Sequence, residues 1–200
     1  MGFLKRRLRQ FKEYDDIAEI GDIARRYFVM NAFDGILTII GVLTGSYVAR
    51  VESASVVVTT GLATSVAMGI SGLWGAYFTE TAERKRDLDE LENHTLTDLS
   101  ETRIGRASRI AGVVVALVDG LAPFLSAMVA LLPFFFSAYL GGIYLSYYLS
   151  LGIALLSLFG LGAFLGAVSR ENMVLWGLKM IGAGVLSIGL GYLIGGLKAG

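Results

Sequence analysis

The chain of 200 residues contains no cysteine. Disulfides, thiolate metal sites and cysteine nucleophiles are therefore excluded. It has one histidine, His94, and no nucleophile–base pair is visible, so an enzyme is not expected. Neither sign of charge dominates: 17 Lys and Arg balance 17 Asp and Glu, which gives no indication of a nucleic-acid partner. The apolar runs lack the alternation of a membrane barrel, so spanning strands are not expected. The first apolar run starts after about 27 mostly polar residues without a small-residue cleavage pattern, so no cleavable signal is expected.

What the chain does have is apolar length. It is 54% hydrophobic with 26 glycines and a mean hydropathy of +0.64, more than a soluble domain of this size can bury. Five stretches reach the roughly 20 residues needed to cross the hydrocarbon: 28–49, 54–78, 110–135, 141–168 and 172–196. Backbone satisfaction in lipid makes them helices. The expected fold is an all-α integral membrane protein with five transmembrane helices. Four segments follow: an amphipathic N-terminal segment over 1–27, helices one and two over 28–78, an acidic cytoplasmic helical segment over 79–109, and helices three to five over 110–200. In the first segment Leu4, Leu8, Phe11, Ile17 and Ile20 lie among many charges, which suits a helix on the inner membrane surface or a plain basic anchor. Pro133 is expected to end or kink the third span. Tyr139-Leu140-Gly141-Gly142 is the best turn before the fourth, and Tyr144, Tyr147 and Tyr148 suit an interfacial aromatic belt.

Basic residues concentrate in the N-terminal arm, in the link between spans two and three, and at Arg170. The positive-inside rule then puts the N-terminus in the cytoplasm and the C-terminus outside.

The most informative residue is Asp34, inside YFVMNAFDGILTIIGVLTGSYV. A carboxylate at membrane depth costs about 2.5 kcal/mol or more and marks a functional site by default. Gly35, Gly41 and Gly45 leave one face of that helix nearly bare, so a second helix can approach closely. Asp119, followed by Gly120, lies near the middle of the third span, with Pro123 loosening the helix beyond it. The two Asp-Gly pairs lie on spans of the same direction, as a parallel repeat or by chance. Met68 is a soft thioether in the second span, able to hold a transition metal weakly or simply to pack. Thr59, Thr60, Thr64 and Ser65 either donate oxygens or bond to their own backbone. Beyond that span Glu80, Glu83, Asp87, Glu90 and His94 recur at i, i+3, i+7, i+10 and i+14, an arc of roughly 80° on one helix face. Arg84, Lys85 and Arg86 are expected to point elsewhere. The stripe suits iron, manganese or zinc, or is a solvated face. Thr97, Asp98, Ser100 and Glu101 read as capping residues leading to span three. Lys179 snorkels or finds an inward partner, and Gly162-x-x-x-Gly166 argues for tight packing and for oligomers.

These residues carry a resemblance. NAFDGILTIIGVLTG (31–45) resembles the first-span motif of the vacuolar iron transporter family, which includes the yeast vacuolar iron and manganese carrier and the nodulin-21-like proteins. GLATSVAMGISGLWGAYFTETAERKRDLDELE (61–92) resembles its second span, continuing into an acidic cytoplasmic helix. LLPFFF (131–136) is similar to its Pro-containing third span. The chain looks like a divergent, prokaryotic-type member. The resemblance implies a five-span homodimer that exports Fe²⁺ or Mn²⁺ from the cytoplasm in exchange for protons, with a path between the first spans of two protomers. By position, Asp34 matches the family's first-span carboxylate, Met68 its second-span methionine, and Glu80, Glu83 and Glu90 its cytoplasmic glutamates. Three features depart from the pattern. Thr60 stands at the second-span glutamate, the segment 79–108 is short, and Asp119 has no counterpart.

The resulting expectation is a divalent-metal transporter of a prokaryotic cell membrane. Metal would be held by Asp34, Met68, Glu80, Glu83, Asp87, Glu90 and His94, with Asp34 and Asp119 coupling protons. No cofactor is permanently bound; the metal is the substrate, and the bilayer and a second copy are the partners. The alternative is a non-transporting membrane scaffold or metal-binding assembly protein.

Overall fold

The structure, a computed structural model, describes residues 13–15 and 17–197. Among the described residues five long helices follow in order: α1 (Ile20–Val48), α2 (Ala54–Thr95), α3 (Arg103–Phe135), α4 (Ile143–Val168) and α5 (Met173–Leu197). All five are long and apolar enough to cross a membrane, and no strand occurs among the described residues. Of the expected amphipathic segment, Leu4, Leu8 and Phe11 lie outside the described residues. Ile17 is exposed, and Ile20 is buried where α1 begins.

The helix ends follow local chemistry. Asp15 Oδ1 accepts the Gly21 amide at 2.6 Å and so caps α1. Arg50 takes a left-handed φ of 55° just past α1, and the Val51 amide reaches back to the Ser46 carbonyl at 3.0 Å, a Schellman-type closure. Arg170 closes α4 in the same way, at φ 56°. Asn172 Oδ1 then takes the amides of Val174 and Leu175 at 3.0 and 3.2 Å and starts α5.

Helix α3 continues through Pro123 and Pro133. Pro133 does not end it at once; helix gives way to turns after Phe135. The turn falls where the sequence suggested: Gly141 and Gly142 adopt φ 83° and 128°, values only glycine takes without strain.

At about 1.5 Å per residue, the 42 residues of α2 span about 63 Å, twice the hydrocarbon thickness. Its second half carries the charges, so it must leave the bilayer.

The chain forms two compact units. The first takes the described residues up to Phe28 together with Gly69–Leu121. Its interior is built on small side chains, Ala76, Ala107, Ala111, Val115 and Ala116, which let α2 and α3 come close. The second unit takes Val29–Met68 and Ala122 onward. Its core joins Ile36, Ile40 and Leu43 of α1, Leu131 and Phe134 of α3, and Leu158 of α4. There α4 and α5 form a hairpin in which Gly162 lies against the backbone of Trp176 and Gly177, and Gly166 against Met173. The Gly162–Gly166 spacing thus serves the tight packing it suggested, here between α4 and α5 of one chain. Tyr147 is likewise not part of an interfacial belt: it is 1% exposed, and its hydroxyl donates to the Val51 carbonyl at 3.0 Å. Tyr144 and Tyr148 are exposed.

Candidate functional site

Helix α1 presents two different glycine faces. A Cβ on Gly35 would lie 2.6 Å from Pro123 Cα and from Ser126 Oγ, so this glycine makes the α1–α3 contact. The expectation that Gly35, Gly41 and Gly45 share a bare face is corrected here. At about 100° per residue, Gly41 and Gly45, six and ten residues on, stand roughly 120° and 80° round the helix from Gly35, so Gly35 points well away from them. Around the latter two nothing lies within 4 Å. Asp34 shares their side of the helix, since seven and eleven residues are close to whole turns. It is exposed, as are Met30, Gly41 and Gly45. An intramembrane carboxylate therefore stands at the edge of a groove of missing side chains.

Met68 is half-buried on α2. The hydroxyls on its helix turn inward on their own backbone: Thr64 donates to the Thr60 carbonyl at 2.8 Å and Ser65 to that of Gly61 at 2.6 Å.

Asp119 is 7% exposed. Its Oδ2 would lie 2.7 Å from a Cβ on Gly72, while Gly120 packs against the Gly69 carbonyl and Leu73. The α2–α3 crossing in the first unit is thus fitted around this carboxyl, which is held inside the chain.

The acidic stripe is divided. Glu80 is 7% exposed; its carboxylate accepts the Tyr27 hydroxyl at 3.0 Å and pairs with Arg84 Nε at 3.0 Å. Arg84 was expected to point away, but i, i+4 neighbours stack on one side of a helix and the pair closes. Glu83, Asp87, Glu90 and His94 are exposed. Among the described residues no group of three His, Asp or Glu side chains is gathered to hold a metal. The reason is helical rise, which spaces successive members of the stripe about 5–6 Å apart.

The capping residues resolve differently from the expectation. Asp98 accepts the Ser100 amide at 2.8 Å, and Thr102 precedes α3, its hydroxyl accepting the Gly105 amide at 3.4 Å. Hydrogen bonds from the Ser100 side chain and then its backbone hold the Asp98 carboxyl below its usual value. At the far end, Lys179 lies over the Trp176 ring at 4.9 Å, and the indole donates to Glu171 at 2.7 Å, so the lysine is paired with an aromatic face.

Residues 25–103 match the model of the VIT family, the vacuolar iron transporters. The chain is also 31% identical over 173 residues to an uncharacterised protein, MJ0645, of Methanocaldococcus jannaschii, covering 85% of this chain and 87% of that one. The chain belongs to the VIT family. It is an integral membrane protein of a family of metal-ion transporters. The matched stretch contains most of α1, all of α2 and the link to α3, and with them Asp34, Met68 and the acidic stripe. Asp119 lies outside it. Sequence reasoning found Asp34 and Asp119 through their charge in apolar runs. It missed Tyr27 as the partner of Glu80, because that pairing joins positions 53 apart.

Proposed function

We propose that this VIT-family protein exports a divalent transition metal, Fe²⁺ or Mn²⁺, from the cytoplasm in exchange for protons, as a homodimer in a prokaryotic cell membrane. One observation carries the reading: Asp34 is exposed at membrane depth beside Gly41 and Gly45, around which nothing lies within 4 Å. A carboxylate facing lipid is too costly. A second copy of α1 against the glycines would cover it and leave a polar seam along the helix. The metal would then be handed between Asp34 and Met68, a hard and a soft ligand that together hold it weakly enough to release it.

The exposed residues Glu83, Asp87, Glu90 and His94 act in this reading as an electrostatic collector for hydrated ions, since no chelate is gathered there. Glu80 joins them only by releasing Arg84. Asp34 and Asp119 supply the exchangeable protons. The cytoplasmic side is that of the N-terminus and the α2–α3 link, where the arginines and lysines concentrate.

The test is flux. Purified protein in liposomes is given a panel of divalent ions with a pH-sensitive dye inside. Fe²⁺ or Mn²⁺ entry with opposite proton movement supports the reading. Metal binding without flux would leave the scaffold reading in its place.

A further inference from the structure

The first unit contains a cavity that the transport reading does not use. It measures about 610 Å³ and lies between the charged half of α2 and the start of α3. That volume falls within the roughly 300–1,000 Å³ of small-molecule sites. The acidic stripe is not part of its wall. The face of α2 that lines it runs through Tyr77, Thr81, Lys85, Leu88 and Glu92, more than a quarter-turn of the helix away from the stripe.

Its position is the membrane interface. Tyr77 lines it, and the adjacent Trp74 and Phe78 stack at 5.6 Å while exposed at 54% and 63%. Exposed aromatics where an apolar run gives way to charge mark the headgroup level. On α3 the wall includes Gly112 and Val113. Below it Val113, Leu117 and Leu121 are each about half exposed along one ridge of α3, at the i, i+4 spacing that makes a continuous apolar track.

Its charges are balanced: Arg84, Lys85 and Arg109 face Asp89, Glu92 and Asp98. Four of these already have partners within the chain. Arg84 pairs with Glu80 at 3.0 Å, Glu92 accepts the Leu99 amide at 2.7 Å, and Asp98 accepts the Ser100 amide at 2.8 Å. Arg109 gives one nitrogen to the Ser100 carbonyl at 3.0 Å and stands 3.6 Å from Glu101, which leaves donors of its guanidinium over. Lys85 and Asp89 are i, i+4 neighbours and line the same cavity. Even so, they do not appear among the ion pairs of the described residues. The cavity thus offers two cationic donors and one carboxylate that is not already engaged.

We propose that this cavity binds the headgroup of a bilayer phospholipid carrying both a phosphate and an ammonium. The phosphate meets Lys85 and Arg109, the ammonium meets Asp89, and an acyl chain follows Val113, Leu117 and Leu121. A purely anionic headgroup would leave Asp89 facing it without a cationic partner. A soluble zwitterion would leave the apolar track unused. The proposal does not depend on the direction or substrate of transport.

The test is native mass spectrometry of the delipidated full-length protein, offered phosphatidylethanolamine, phosphatidylglycerol or soluble phosphoethanolamine. Phosphatidylethanolamine should be retained about tenfold better than phosphatidylglycerol, the discrimination expected of one charge-assisted contact. Lys85→Ala should lower its retention by about tenfold. Asp89→Asn should abolish the preference over phosphatidylglycerol. Both side chains are exposed on a helix, so the fold should survive. Should Lys85→Ala fail to fold, Arg109→Gln carries the same expectation. Equal retention of the two lipids, wild-type retention in these variants, or soluble phosphoethanolamine binding as tightly as the lipid would each overturn the proposal.

Discussion

Asp34-Gly35 and Asp119-Gly120 are the same dipeptide in two apolar helices, and the fold uses them oppositely. In both, the glycine makes a close helix contact: Gly35 meets Pro123, and Gly120 meets the Gly69 carbonyl. The carboxylates then part. That of Asp119 is enclosed beside Gly72 and 7% exposed, so its own chain shields it from lipid. That of Asp34 faces out of the chain and needs a second surface to escape lipid. Whether an intramembrane acid is shielded by its own chain or faces out of it depends on which side of the helix its glycine neighbours leave open.

The largest effect should come from filling the two glycine faces of α1. Gly35→Leu drives a side chain into Pro123 and should lower monomer stability by about 3 kcal/mol or more, read as loss of folded protein in thermal melts. Gly41→Leu meets open space, so it should leave the melt of the chain intact and shift the proposed dimer to monomer in size-exclusion chromatography with light scattering. Equal effects of the two would erase the distinction between the faces.

Next is the division of the acidic stripe. Glu80→Gln removes the partner of a mostly buried arginine and should cost about 2 kcal/mol. Glu83→Gln and Glu90→Gln, at exposed positions, should cost less than about 0.5 kcal/mol while weakening Mn²⁺ binding by calorimetry.

A smaller, functional effect is expected for the enclosed acid. Asp119→Asn should slow proton-coupled flux several-fold or move its pH dependence, without eliminating metal binding. Total loss of binding would place Asp119 on the metal path with Asp34.

The smallest concerns a carboxylate outside the membrane. Asp98 is held low by Ser100. A depressed carboxyl favours the folded link at pH above its unfolded value, and that contribution fades as pH falls through the folded value. Ser100→Ala should raise the Asp98 titration midpoint, followed by carboxyl NMR. An unmoved midpoint would remove that cause.

Much of this was legible in the sequence. The five spans, the Gly141–Gly142 turn and both intramembrane acids follow from runs of apolar residues and the cost of interrupting them. Partners were not legible. Spacing sets Gly35 and Gly41 on different sides of the helix, but which side another helix fills is decided by the placement of Pro123. The same holds for Arg84: the i, i+4 spacing sets it beside Glu80, but that the pair closes is a fact of the fold. Tyr147 looked interfacial because it sits beside Tyr144 and Tyr148, but its place on the buried side of α4 is a tertiary fact.

The central claim is that the exposed carboxylate of α1 carries the metal. Its most direct test is metal-driven proton exchange in liposomes by Asp34→Asn, which keeps the side chain's shape and removes its charge. The account predicts a folded dimer with no exchange, since a neutral amide is cheaper to bury than a carboxylate. Wild-type flux in that variant would contradict it.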